Sequence, residues 1–164
     1  MNRFEDDDDR EPLPVDEELH GPLLEWLARD ARGHVALFTA IARLDPPQEV
    51  LDHLDEHRRA LATILCSPPV TRSVFGPLVG NERGERWRAL VERGLFVFAT
   101  HRSGGPYWIA EAPQLPTRVL DLPPLARELV AGQPHVALPF KHAASLMPES
   151  VDPPSLAGAA RRAS

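Results

Sequence analysis

The chain reads as an α+β domain with a mainly antiparallel sheet of four or five short strands, covered by three or four helices. Three observations predict this. Apolar residues make up 43% of the 164 residues, enough for a real core. Eighteen prolines, more than twice the usual share, keep the regular elements short. Helical and strand periodicities follow one another irregularly, without the steady strand–helix alternation of a parallel sheet.

Residues 1–15 are expected to be a disordered acidic arm. The first 18 residues carry nine acids against Arg3 and Arg10, while the rest of the chain is nearly neutral. A single domain is expected over 16–147, followed by a flexible tail over 148–164 rich in Pro, Ala, Ser and Arg. A first helix is predicted over 17–31, because Leu19, Leu23, Leu24 and Leu27 recur at helical spacing beside Trp26. Pro22 splits this run into a short turn and a helix proper, and Gly33 ends it.

His34–Ile41 reads as a mostly buried strand. A second helix starts at Asp45 as N-cap, with Pro46 at N1 and Gln48 at capping-box spacing. Val50, Leu51, Leu54, Leu61, Ile64 and Leu65 form its apolar face, and it stops at Cys66, before Pro68 and Pro69. A loop with Val74, Phe75, Leu78 and Val79 leads to a third helix over 83–93. Trp87, Leu90 and Val91 face inward there, and Gly94 stops it.

Leu95–Ala99 and Tyr107–Ala110 form a hairpin about the turn residues Arg102–Gly105, and Arg118–Leu120 adds a third short strand. A proline-started helix over 123–131 is closed by Gly132, with Leu125, Leu129 and Val130 as its apolar positions. His135–Phe140 is a last strand, placed at an edge by Pro139. It echoes the string His34-Val35-Ala36-Leu37-Phe38, a likeness too short to establish a duplication.

One stretch spells a catalytic pattern. His53-Leu54-Asp55-Glu56-His57 is H-x-x-E-H, the inverted zinc-peptidase signature. Histidines four apart on a helix can share a zinc ion, and Glu56 could activate a bound water as general base. The alternative function is therefore a small zinc-dependent hydrolase, with His53 and His57 as ligands and zinc as cofactor. Helical phase argues against it. Glu56 falls on the solvent side, His57 points partly inward, and no later glutamate sits in a recognisable third-ligand motif. The preferred reading has no catalytic residue, no metal and no cofactor.

Cys66 is the sole cysteine, which excludes an intrachain disulfide and a thiolate zinc cluster. A lone cysteine at a helix C-terminus is expected to be buried rather than nucleophilic. Arg58, Arg59, Arg83, Arg86, Arg88 and Arg93 are interleaved with Glu82, Glu85 and Glu92. That pattern fits a solvated, salt-bridged face and makes nucleic acid an improbable partner. The acidic start and the short apolar runs predict a cytoplasmic protein with no membrane segment.

The hairpin carries the candidate partner-binding residues His101, Arg102, Tyr107 and Trp108, since Tyr, Trp and Arg are typical interface anchors. Alternation sets Tyr107 and Ile109 on one face and Trp108 on the other, so that one aromatic can be core and the other exposed.

Leu24-Glu25-Trp26-Leu27, Gly33–Phe38 and Glu92–Phe98 together resemble uncharacterised small bacterial α+β proteins, some of them immunity-like. The resemblance covers about residues 19–123 and rests on structural strings. It implies a non-catalytic protein-binding module, an immunity-type inhibitor whose partner is a bacterial toxin, and it carries over no inhibitory residue.

Overall fold

The computed structural model describes residues 23–41, 47–74, 82–100, 106–133, 135–143 and 145–146. The expected acidic arm and C-terminal tail lie outside these residues. The fold is α+β. Strands β1 (Leu23–Asp30), β2 (Val35–Ile41), β3 (Phe96–Ala99), β4 (Tyr107–Glu111), β5 (His135–Val136) and β6 (Ser145–Leu146) form one sheet in the order β5-β1-β2-β3-β4-β6. Three neighbouring pairs are antiparallel, whereas β1–β5 and β2–β3 are parallel. Among the described residues four helices accompany the sheet: α1 (Gln48–Asp52), α2 (Leu54–Cys66), α3 (Glu82–Val91) and α4 (Pro124–Gly132).

The expected first helix is corrected here, because its described part is the strand β1. Leu27 faces α2, α3 and α4, while Leu24, Trp26 and Ala28 face the opposite side of the sheet. A strand buried on both faces has apolar residues at both parities, and over eight residues that pattern mimics helical spacing. Gly33, at φ +81°, then belongs to the β1–β2 turn rather than to a helix end.

The sheet divides two cores. On one face Leu37, Val97 and Leu95 pack against Leu61 and Ile64 of α2, Trp87 and Leu90 of α3, and Val130 of α4. On the other, Trp26, Phe38 and Phe98 stand in register on adjacent strands and stack at 5.8 and 5.2 Å. Tyr107 meets Phe38 edge-on and Phe140 closes over the stack. Each such ring pair adds roughly 0.5–1.5 kcal/mol to the burial term.

Other expectations shift by small, explicable amounts. The second helix is two helices, broken at His53 (φ −127°, ψ 25°). Asp45 and Pro46 lie outside the described residues, Pro47 is the N-cap, and Gln48 donates to Asp52 rather than closing a capping box. The strand expected at 118–120 is a single bridge from Arg118 to His34 followed by a 3₁₀ turn at Val119–Asp121. In α4 the inward residues are Ala126 and Val130, and Leu125 is exposed. Cys66 is exposed at the last turn of α2, contrary to the expectation of burial.

The final strand stops after two residues, at the sheet edge as Pro139 required, and a second two-residue strand, β6, follows. The two similar strings occupy different settings. Val35 lies in the helix-covered core of β2, whereas Val136 lies in the aromatic core next to β1.

Candidate functional site

The H-x-x-E-H run divides at the helix break. His53 sits at the junction of α1 and α2 with a half-exposed side chain, 3.8 Å from the equally exposed Glu56. His57 is fully buried. Its Nδ1 accepts a hydrogen bond from the backbone N–H of Leu27 at 3.1 Å. That N–H points away from β2, on the side where, among the described residues, β5 pairs with β1 at Arg29 and Asp30. His57 therefore substitutes for a missing strand at this point. An Nδ1 that accepts cannot also carry a proton, so the ring is neutral with its proton on Nε2. Burial is the main reason its pKa falls from 6.5 to about 4. The nearby His53 lowers it further and Glu56 partly offsets the effect.

The structure thus separates the three residues of the zinc reading. Glu56 lies at the surface, as its phase predicted, and the imidazole of His57 is built into the sheet edge. Among the described residues no group of three His, Cys, Asp or Glu side chains is placed to hold a metal ion. This disfavours the zinc hydrolase.

Two buried acids were not singled out by the sequence. Asp30, at the end of β1, accepts from the backbone N–H of Arg32 and His34 with one oxygen and from Phe140 N–H with the other, each at 2.9 Å. It closes the β1–β2 turn and pins the turn that caps the aromatic core. An aspartate three residues before a turn glycine is the local signal that could have marked it. Glu111, at the end of β4, is 1% exposed. Burial raises its pKa, with smaller lowering contributions from Arg88 and from the Ser73 hydroxyl, which approaches to 3.5 Å, and a further raising one from Glu92. A raised carboxyl in a cleft would suggest acid–base work. This one is enclosed between β4, α3 and the segment around Ser73.

The hairpin splits as alternation predicted. Tyr107 is 4% exposed and packs against Trp26 and Phe38, whereas Trp108 is 47% exposed. Of the four expected anchors, Trp108 is on the surface and Tyr107 is a core residue. His101 and Arg102 lie outside the described residues.

Arg86 of α3, 45% exposed, behaves as the expected salt-bridged face does, whereas Arg93, just past the helix, is used structurally. Arg86 pairs with Glu25 of β1 at 2.9 Å. Arg93 donates through Nε to Ser67 C=O and through Nη1 to Ala89 C=O, tying together the C-terminal ends of α2 and α3. Arg58, by contrast, makes the exposed pair with Asp55 expected of a surface helix. No helix among the described residues is long and apolar enough to cross a membrane. Comparison with protein-family models, curated proteins and solved structures gives no match.

Proposed function

We propose that this chain is a non-catalytic protein-binding module acting in the cytoplasm, and that it serves as an immunity-type inhibitor of a bacterial toxin. One contrast carries the reading. Among the described residues the buried ionisable groups sit within the fold: His57 bonded to β1, Asp30 bonded to the turns, and Glu111 enclosed beneath α3 beside Ser73. Large apolar side chains, Trp108 foremost, are left at the surface. Catalysis needs polar groups that converge on a space a substrate can enter, and binding needs desolvatable anchors such as an exposed tryptophan. The toxin partner comes from the resemblance stated above.

The experiment is affinity capture from the native host on the immobilised full-length chain. One dominant protein is expected, recovered in stoichiometric amount and without being modified or cleaved. Recovery should fall sharply with Trp108→Ala or Arg102→Ala. A partner retained equally by both variants would remove the hairpin from the proposal, and turnover of the captured protein would refute a non-catalytic role.

A further inference from the structure

Away from the hairpin, the C-terminal end of α2, the turn after α3 and the 115–123 segment enclose an open groove of about 600 Å³. Its walls are Ile64, Pro68, Val70, Leu115, Pro116 and Leu122, so they are predominantly apolar. The prolines on its rim have no N–H to offer and hold the backbone stiffly. Exposed large hydrophobics concentrate beside it. Val70 and Leu115 are 62% and 67% exposed, with Val74 and Leu120 in the same two segments. Apolar side chains left exposed beside a groove are available for contact with a partner.

The polar chemistry of the groove is specific. The Ser67 hydroxyl is committed to Ile64 C=O and the Thr117 hydroxyl to Arg93 C=O. Two charged side chains remain, Arg93 and Asp121. They are not paired with each other, and among the described residues no carboxylate lies within ion-pair distance of Arg93. The guanidinium is held in place by its bonds to Ser67 C=O and Ala89 C=O, neither of which uses Nη2. A fixed, partly buried cation with uncommitted donors is complementary to a carboxylate. A nearby acid suits a backbone N–H. Apolar walls suit aliphatic or aromatic side chains. A lipid chain would leave both charges unanswered, whereas an extended peptide answers all three features.

We infer that this groove binds an extended peptide segment of a partner protein, one presenting apolar side chains and a carboxylate directed at Arg93. The inference rests on the protein-binding reading and adds a second contact surface, distinct from Trp108, together with the chemistry of what fills it.

The test is selection of a random-peptide library on the immobilised full-length chain, followed by fluorescence polarisation with a labelled copy of the most enriched peptide. Enriched sequences should combine apolar residues with an acidic residue or a free C-terminal carboxylate. Converting that acid to its amide should weaken binding roughly tenfold. Leu115→Glu should weaken it at least as much, and more than Leu115→Lys, which removes the same apolar contact without adding a charge that repels the carboxylate. Both changes are at an exposed rim position, so the fold tolerates them, and circular dichroism would verify that.

Enrichment without acids, or binding indifferent to Leu115→Glu, would overturn the inference. Binding lost in Trp108→Ala but not in Leu115→Glu would move the peptide to the hairpin and overturn it equally. Concentration-dependent dimerisation abolished by Leu115→Glu would assign the groove to a second copy of the chain, again against the proposal. Partner capture that depends on Trp108 while no peptide is selected would sink the groove and leave the binding module standing.

Discussion

His57 should make the stability of this protein fall with acidity well above the range in which its carboxylates protonate. In the unfolded chain the imidazole takes up its proton near pH 6.5, but in the fold only near pH 4. The folded state thus binds fewer protons through this window, and stability is lost as pH drops from about 6.5 to about 4. The gap between the two values corresponds to roughly 3 kcal/mol, a large share of the 5–15 kcal/mol typical of a domain. The geometry supports this sign. Protonating Nδ1 would turn the acceptor for Leu27 N–H into a second donor facing it. It would also place a charge where the side chain has no exposed surface.

The variant that isolates the effect is His57→Asn, whose side-chain oxygen can occupy the position of Nδ1 and keep the bond to Leu27 without titrating. Urea unfolding followed by the fluorescence of buried Trp26 and Trp87 would be recorded from pH 8 to pH 4.5. The variant should be less stable at pH 8 by about 1 kcal/mol, the cost of the lost ring atoms. The wild-type chain should lose that lead at about pH 6 and fall below the variant by pH 4.5, because its own loss over the range is roughly 2–3 kcal/mol. Parallel curves for the two proteins across that range would refute the argument. Glu111 acts in the opposite direction, since its raised pKa makes the fold bind a proton more readily than the unfolded chain. It is common to both proteins and cancels in their difference.

Gly94→Ala should destabilise strongly. Its φ is +88°, which alone costs about 1 kcal/mol for a residue with a Cβ, and that Cβ would overlap the Thr117 side chain and lie 2.7 Å from Thr117 N. Thermal unfolding would measure the loss, and a melting temperature within a degree of wild type would contradict it. Asp30→Ala should cost about 3 kcal/mol, because three backbone N–H groups lose a shared acceptor; hydrogen exchange should rise first at Arg32, His34 and Phe140. Trp108→Ala should leave stability within about 1 kcal/mol of wild type, while Phe38→Ala, at the centre of the aromatic stack, should cost roughly 3–5 kcal/mol. Protein purified without a histidine tag should carry no stoichiometric zinc by elemental analysis, in His53→Ala and wild type alike; zinc present in wild type and absent from the variant would restore the hydrolase reading.

Much of the architecture was legible along the chain. Strong local signals set most element ends: Pro68 after α2, Gly94 after α3, Gly132 at the end of α4, and Pro139 just past β5. Alternation in 107–109 correctly set Tyr107 and Trp108 on opposite faces, because strand parity is a local property, and only the structure made Tyr107 the core residue. The phase of the helix likewise sent Glu56 to solvent and His57 inward.

What the sequence could not decide depends on neighbours distant along the chain. Leu23–Asp30 became a strand because β2 offers it a full ladder of partners, and burial on both faces removed the alternation that would have announced it. His57 is buried because an unpaired Leu27 N–H, thirty residues earlier, needs an acceptor. Asp30 acquires its meaning from Phe140, 110 residues later. The groove around Arg93 exists only where three segments far apart in sequence meet. Periodicity and turn chemistry act over a few residues and can be read in order. Satisfying buried polar groups is a property of the assembled molecule, and the assembled molecule turned a catalytic spelling into a structural hydrogen bond.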